Sequence, residues 1–231
     1  MSRKKDKRTS RRKPDIRPQR KKLQAKSENQ EDYIDSMTEC DVTFCEGPAG
    51  SGKTACSVGL ACSWVLDKRI DKIVVARPAI ESGRGLGHLP GGLNEKVHPY
   101  MIPVLEEMKR YLGLETYNSM RATRTIEICP LEFMRGRTFD DSFTILDEAQ
   151  NATYEQIIMF ITRLGMGSTA VINGDPAQTD LKHRESGGFM KLMYELDNLE
   201  GVGMCELDAC DIVRNPIIGK IMERTNRGNQ K

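Results

Sequence analysis

The eight residues GPAGSGKT, at positions 47–54, combine three glycines with a lysine and a hydroxyl group at fixed spacing. They fit the pattern G-x-x-x-x-G-K-[ST], follow the apolar run VTFCE and precede a stretch of helical period. Glycines here let backbone N–H groups turn inward around phosphates, and the start of the next helix favours negative charge. We therefore predict a phosphate loop that binds ATP. Its residues are Gly47, Pro48, Ala49, Gly50, Ser51, Gly52, Lys53 and Thr54.

A second group of residues could bind a metal and activate water. Lys53 would reach the β- and γ-phosphates, and the Thr54 hydroxyl would bind Mg²⁺. The strand-type run SFTILDE ends in Asp147 and Glu148. Asp147 would contact Mg²⁺ through its water shell, and Glu148 would orient and deprotonate the attacking water. The alternative is that two acidic residues merely end a strand, but beside a phosphate loop the pair indicates hydrolysis.

The segment INGDPAQTDL, at positions 172–181, has two interpretations. Asn, Gly, Asp and Pro in succession are turn-forming residues, so the segment could be only a turn. In parallel sheets of this class, however, the strand after the Asp-Glu strand lies beside the phosphate-loop strand, and its carboxyl end faces the γ-phosphate. We therefore predict that Gln178 hydrogen-bonds the γ-phosphate or the attacking water. Asp175 would position that loop or a nearby arginine.

Two kinds of element alternate from Asp41 onward and must position these residues. Apolar runs typical of strands occupy residues 42–47, 72–78, 125–129, 142–148, 169–174 and 202–207. Stretches of helical period occupy residues 53–66, 93–111, 153–164, 187–199 and 216–225. This alternation predicts an α/β fold, a parallel sheet with helices on both faces. Pro99 and Pro103 predict a broken or kinked second helix.

The chain of 231 residues divides into a basic start and an acidic remainder. Residues 1–26 hold 13 Lys and Arg against two acidic residues, a net charge of +11, whereas residues 27–231 carry −9. The first segment is nearly free of apolar side chains, which predicts a disordered arm before one folded domain over 27–231. Such an arm is typical of a tether to nucleic acid, although a solubilising tail has the same composition.

No secretory signal and no membrane-spanning segment is predicted. A signal peptide needs an apolar stretch after its basic start, and a span needs about 20 apolar residues. We therefore expect a soluble, cytoplasmic protein. Its seven cysteines never form C-x-x-C and lie among apolar neighbours, which favours free buried thiols over a zinc site or disulfides.

Together these residues resemble the PhoH family, the phosphate-starvation-inducible P-loop ATPases. The stretches that carry the resemblance are NQEDYI, VTFCEGPAGSGKT, VVARPAIESGRGLGHLPGGLNEKVHPYMIPVLEEM, IEICPLEFMRGRTFDDSFTILDEAQNAT, MFITRLGMGSTAVINGDPAQTDL and DIVRNPIIGKI. They occur in this order between residues 29 and 221. LEFMRGRTF and ILDEAQN at this spacing are far more restrictive than the phosphate loop alone.

The resemblance implies a RecA-like P-loop NTPase core, similar to the first motor lobe of superfamily 1 helicases, with ATP and Mg²⁺ as ligands. It implies that Gln30 reads the adenine edge and that Arg214, in DIVRNP, is an arginine finger. It also implies coupling to RNA and a homo-oligomer, with a hexameric ring as one expected form. Many members have a Thr-Gln pair after Gly-Asp, whereas this chain has GDPAQ and keeps the Gln. With one lobe, we expect a neighbouring subunit rather than the same one to supply Arg214.

Two functions of different classes are compatible with this sequence. The first is an oligomeric, helicase-like ATPase that binds or remodels RNA or single-stranded DNA. The second is an ATP-dependent switch or partner-binding protein without translocation along nucleic acid. Glu148 disfavours a third, a small-molecule kinase. The residues that could contact nucleic acid are Arg77, Arg84, His88, Arg135 and Arg137. The alternatives for them are surface or subunit contact, or a glycine-rich lid.

Overall fold

The computed structural model describes residues 21–78, 93–181 and 187–212, and for residues 93–100 it describes the backbone alone. Three predictions lie outside these ranges. They concern the arm up to residue 20, the glycine-rich lid given as an alternative for Arg84 and His88, and the helix at 216–225. The candidates Arg84 and His88 lie outside them as well.

A parallel sheet forms the centre of the described chain. Its strands are β1 (Val42–Glu46), β2 (Lys72–Arg77), β3 (Ile126–Pro130), β4 (Ser142–Leu146), β5 (Thr169–Gly174) and β6 (Val202–Glu206). They are ordered β3-β2-β4-β5-β1-β6, and every neighbouring pair is parallel. Each strand lies within two residues of its predicted bounds, so the predicted parallel sheet is confirmed.

Helices cover both faces of the sheet, as predicted. They are α1 (Glu28–Glu39), α2 (Lys53–Leu66), α3 (Leu93–Leu112), α4 (Leu114–Ala122), α5 (Tyr154–Ile161) and α6 (Gly188–Leu196). One apolar core lies under α1 to α4, and a second lies under α5 and α6. In β2, Ile73 and Val75 belong to the first core and Val74 and Ala76 to the second. The continuous apolar strands are explained by this burial on both faces.

Helix α3 differs from its prediction, because it runs unbroken through Pro99 and Pro103. Each proline removes one backbone hydrogen bond. The face formed by Met101, Val104 and Met108 is buried in the first core and holds the helix against the rest of that core. The predicted break is therefore absent, whereas the alternative form, a kink, stays a prediction.

Helices α1 and α4 were not predicted from the sequence, although a local signal marks the start of α1. The side chain of Ser27 accepts a hydrogen bond from the Gln30 N–H and caps α1, the pattern of a helix start. α5 has the stronger form of this signal, a capping box between Thr153 and Gln156. In α4, few apolar residues mark a buried face, and only Tyr117 is buried.

The last residues of the predicted arm, 21–26, include several that lie against α2 and α3. The Lys21 ammonium group lies 2.6 Å from Oε1 of Glu107. Leu23 packs on Gly59, where a Cβ atom would come within 2.8 Å of the Leu23 side chain. The glycine is required for this close approach, and the packed chain begins no later than Lys21.

The cysteines are free throughout the described chain, as predicted. Cys45, Cys56 and Cys62 are buried, whereas Cys210 is exposed. Burial raises the pKa of Cys56 to about 11 and that of Cys62 to about 12, so both thiols stay protonated and unreactive at neutral pH.

Candidate nucleotide site

The carboxyl ends of β1, β4 and β5 form one cleft with a volume of about 510 Å³. Strand β5 lies between β4 and β1, which is the arrangement expected from the sequence. The cleft is lined by Lys53 and Thr54 from the start of α2, Asp147 and Glu148 after β4, and Gln178 after β5. The three groups of predicted site residues therefore meet at one place.

The phosphate loop turns tightly between β1 and α2. Gly52 has a φ of +103°, and a Cβ atom there would lie 2.6 Å from Nε2 of Gln30, so both its conformation and its surroundings require glycine. The Lys53 ammonium group donates to the carbonyl oxygens of Gly47 and, at 3.0 Å, of Pro48. The positive charge is thus held over the loop that the sequence predicts to bind phosphate.

Asp147 lies between Thr54 and Arg77 and is only 2 % exposed. Its Oδ1 accepts a hydrogen bond from the Thr54 hydroxyl at 3.0 Å, and its Oδ2 accepts two from the Arg77 guanidinium, the one from Nε at 2.9 Å. Carboxylate and hydroxyl oxygens are the hard ligands that Mg²⁺ prefers, and the cation keeps part of its water shell. Thr54 and Asp147 therefore fit the predicted metal.

Glu148 adopts a left-handed backbone conformation, with φ 60° and ψ 39°. This region is uncommon outside glycine and costs on the order of 1 kcal/mol. Its side chain is 44 % exposed and lies 3.9 Å from Nη2 of Arg77. The carboxylate therefore stands in the cleft within reach of solvent, which a group that activates water requires.

The loop after β5 closes one side of the cleft. Oδ1 of Asp175 accepts the Ala177 N–H at 3.1 Å, and the Asp175 carbonyl accepts the Gln178 N–H at 2.9 Å. Asp175 thus positions its own loop, one of the two alternatives predicted for it. The side chain of Gln178 remains exposed beside the phosphate loop.

Gln30 contacts the phosphate loop from behind and does not line the cleft. It is 3 % exposed. Its Nε2 donates to the Ser51 carbonyl at 2.7 Å, and its Oε1 accepts the Lys26 N–H at 3.0 Å. Both ends of the amide are engaged with backbone, so in this structure Gln30 supports the loop, whereas the resemblance implies adenine recognition.

A buried polar chain beneath the phosphate loop was missed in the sequence. The Tyr33 hydroxyl donates to Asn173 Oδ1 at 2.6 Å, and Asn173 Nδ2 donates to the Ser57 hydroxyl at 3.1 Å. These bonds connect α1, β5 and α2 directly below the site. The one signal in the sequence was an asparagine at the end of an apolar strand, since buried amides are normally paired.

The predicted arginines have different surroundings. Arg137 forms an ion pair with Glu127 at 2.5 Å and lies over the Phe139 ring. Arg77 is engaged with Asp147, whereas Arg135 is exposed. Arg214 lies outside the described residues, so its place relative to the cleft stays a prediction.

A comparison with protein families identifies the chain. Residues 22–226 match the family model described as PhoH-like protein. The chain belongs to the PhoH-like family. The predicted resemblance to the PhoH family is thereby confirmed.

Relatives of this PhoH-like chain come from several bacteria. The PhoH-like protein of Bacillus subtilis (strain 168) is 42 % identical over 209 residues, 90 % of this chain and 66 % of that protein. The PhoH-like protein of Synechocystis sp. is 40 % identical, over 89 % of this chain and 62 % of the relative. Protein PhoH of Escherichia coli (strain K12) is 37 % identical, over 84 % of this chain and 55 % of that protein. The chain thus spans less than two thirds of the length of these curated relatives.

Solved structures show the same fold. The large terminase of the thermophilic bacteriophage D6E matches with a TM-score of 0.57 at 12 % identity, over 86 % of this PhoH-like chain and 50 % of the terminase. The same terminase in complex with ADP matches with a TM-score of 0.51 at 10 % identity, over 86 % of this chain and 49 % of the terminase. The PhoH-like chain therefore has a P-loop NTPase fold, as predicted. Across its described parts, no helix combines the length and apolar character needed to cross a membrane.

Proposed function

We propose that this protein binds ATP in the cleft, hydrolyses it with Mg²⁺, and couples hydrolysis to RNA or single-stranded nucleic acid. The observation that carries the proposal is the meeting of the phosphate loop, Asp147, Glu148 and Gln178 in one cleft at the carboxyl edge of the sheet. Family membership and the P-loop NTPase fold support the nucleotide part.

Binding of the triphosphate is assigned to the phosphate loop and to Lys53. Backbone N–H groups at the start of α2 would hold the phosphate oxygens, because the positive end of a helix dipole lies there. Lys53 would exchange its bonds to the Gly47 and Pro48 carbonyls for bonds to the β- and γ-phosphates. Thr54 and Asp147 would hold Mg²⁺, which neutralises phosphate charge when bound.

Hydrolysis is assigned to the two solvent-accessible residues of the cleft, Glu148 and Gln178. Glu148 would orient the attacking water and accept its proton, as a partly exposed carboxylate beside the phosphates can do. The Gln178 amide would hydrogen-bond the γ-phosphate or the water, so that the loop after β5 responds to hydrolysis.

The nucleic-acid part of the proposal depends on the basic arm and is tested by a deletion. Single-stranded RNA should raise the ATPase rate of the full chain at low salt, and removal of residues 1–20 should abolish most of that increase. Each arm residue that contacts phosphate should contribute about −0.7 to the slope of log affinity against log salt. The deletion should stop at residue 20, because Lys21 and Leu23 pack against the domain.

The control for this deletion is the ATPase rate without RNA, which the shortened chain should keep. Equal stimulation of both chains would show that the arm is not the RNA contact. Absence of stimulation by any polynucleotide at low salt, with ATP hydrolysis intact, would favour the ATP-dependent switch over the coupled ATPase.

The proposal includes a homo-oligomer in which Arg214 completes the site of a neighbouring subunit. A heterologous interface of this kind forms a ring when the rotation between neighbouring subunits closes. In P-loop enzymes, an arginine finger supplied by another subunit raises kcat by about 10³- to 10⁵-fold. Mixing Arg214→Ala subunits with Glu148→Gln subunits should therefore restore hydrolysis that neither variant shows alone, because the arginine of one completes the intact cleft of the other, and dilution should lower the rate. Rates that respond to neither mixing nor dilution would contradict a site shared between subunits.

A further inference from the structure

Gln150 connects the two parts of the cleft that the proposed hydrolysis uses. Its Nε2 donates to Oε2 of Glu148 at 2.7 Å and to the carbonyl of Gln178 at 3.3 Å. Its Oε1 accepts the N–H of Asp175 at 2.9 Å. One side chain therefore joins the carboxylate after β4 to both ends of the turn after β5.

The orientation of the Gln150 amide is determined by its partners. A backbone N–H can only donate, so the Asp175 N–H must face Oε1. A carbonyl and a carboxylate can only accept, so Gln178 and Glu148 must face Nε2. Glutamine is the side chain that satisfies all three partners, since a glutamate would place a second negative charge beside Glu148.

The surroundings of Gln150 make this connection stiff. The residue is 4 % exposed, so water cannot easily replace its hydrogen bonds. The Gln150 carbonyl accepts the Thr179 hydroxyl at 3.1 Å, and Oδ1 of Asn151 accepts the Asp180 N–H at 2.8 Å. The short turn after Glu148 thus holds the loop after β5 from residue 175 to residue 180.

We infer that Gln150 is a positioning residue that couples Glu148 to the Gln178 loop, so that the water-activating carboxylate and the γ-phosphate contact move as one unit. The inference rests on the proposed hydrolysis and goes beyond it, because it assigns a residue to the link between the two groups. A shift of the Gln178 loop on phosphate release would displace the Glu148 carboxylate through this amide.

The test uses Gln150→Met, which has similar volume and removes all three hydrogen bonds. In the full chain, kcat should fall about 10²-fold, since a displacement of about 1 Å in the reacting groups has an effect of this size. KM and the affinity for a fluorescent ATP analogue should change less than about threefold, because the phosphate loop is untouched. Gln150→Glu keeps the acceptor for Asp175 and should still lower kcat, because it loses the donor to Glu148.

The matched control is Gln156→Met, the same chemical change in the capping box of α5. It removes hydrogen bonds to Thr153 and Glu132 without any contact to the cleft. This variant should lower the melting temperature and leave kcat unchanged. If Gln150→Met behaves in the same way, with a loss of melting temperature and unchanged kcat, Gln150 has a structural role alone and the inference is wrong.

A double-mutant cycle tests the coupling itself. Gln178→Ala removes the side-chain amide but keeps the carbonyl that Gln150 binds. If Gln150 acts by positioning that amide, the double variant should lose less kcat than the product of the two single-variant fold losses, Gln150→Met and Gln178→Ala. Multiplicative losses would overturn the coupling. Failure of the wild type to hydrolyse ATP would instead refute the proposed function.

Discussion

Glu148→Gln is expected to slow ATP hydrolysis by about 10³-fold, because it removes the group that accepts the proton of the attacking water. The glutamine keeps the shape of the side chain and a carbonyl oxygen that can still accept the Gln150 N–H. Affinity for ATP should therefore stay within about threefold of wild type. Single-turnover hydrolysis and equilibrium binding of ATP, measured on the same preparation, separate the two effects.

The control for this variant is Glu155→Gln, the same change at an exposed position of α5. It should leave both hydrolysis and binding unchanged. If Glu148→Gln keeps more than about a tenth of the wild-type rate, the proton has another acceptor and Glu148 is not the general base.

Arg77→Met is expected to lower the free energy of unfolding by about 3 kcal/mol in the absence of Mg²⁺ and nucleotide. Arg77 is the cation paired with Asp147, which is buried, and removing one partner of a buried ion pair leaves an uncompensated charge. Denaturant unfolding of the full chain, in the presence of a chelator, measures the loss. Adding Asp147→Asn to the Arg77→Met variant should recover most of this lost free energy of unfolding, since the buried negative charge is then removed.

The comparison variant is Arg135→Met, which alters an exposed arginine and should change the free energy of unfolding by less than about 0.5 kcal/mol. A loss for Arg77→Met that persists undiminished in the Asp147→Asn background would show that Arg77 stabilises the fold through other contacts. The same experiment with Mg²⁺ and ATP should give a smaller loss, because a cation held by Thr54 and Asp147 would offset the negative charge that Arg77 no longer pairs with.

Most of the candidate site could be predicted because its signals are local in the chain. The phosphate loop is one continuous segment, and its glycines, lysine and hydroxyl group act through the turn that they form. Asp147 and Gln178 each follow an apolar strand, and parallel strands bring their carboxyl ends to one edge of the sheet. The strand pattern, together with the strand order usual in this class of sheet, was therefore sufficient to bring these residues together.

The packing of the helices could not be predicted in the same way. Pro99 and Pro103 indicate a break in α3 by local rules, yet the buried face of that helix keeps it continuous. Residues 21–26 have the composition of the arm, yet Leu23 packs against Gly59 and Lys21 pairs with Glu107. In both cases contacts distant in sequence outweigh local propensity.

The sequence by itself determined the phosphate loop and the acidic pair, since each depends on spacing within a short stretch, and the fold class, since strand and helix periods alternate along the chain. Only the tertiary structure decided the partners of these residues. It placed Gln30 behind the loop, paired Arg77 with Asp147 and set Gln150 between Glu148 and the Gln178 loop. The physical reason is that polar groups buried by folding must find partners nearby in space. Tyr33 and Asn173, 140 positions apart, are neighbours only after the sheet has formed.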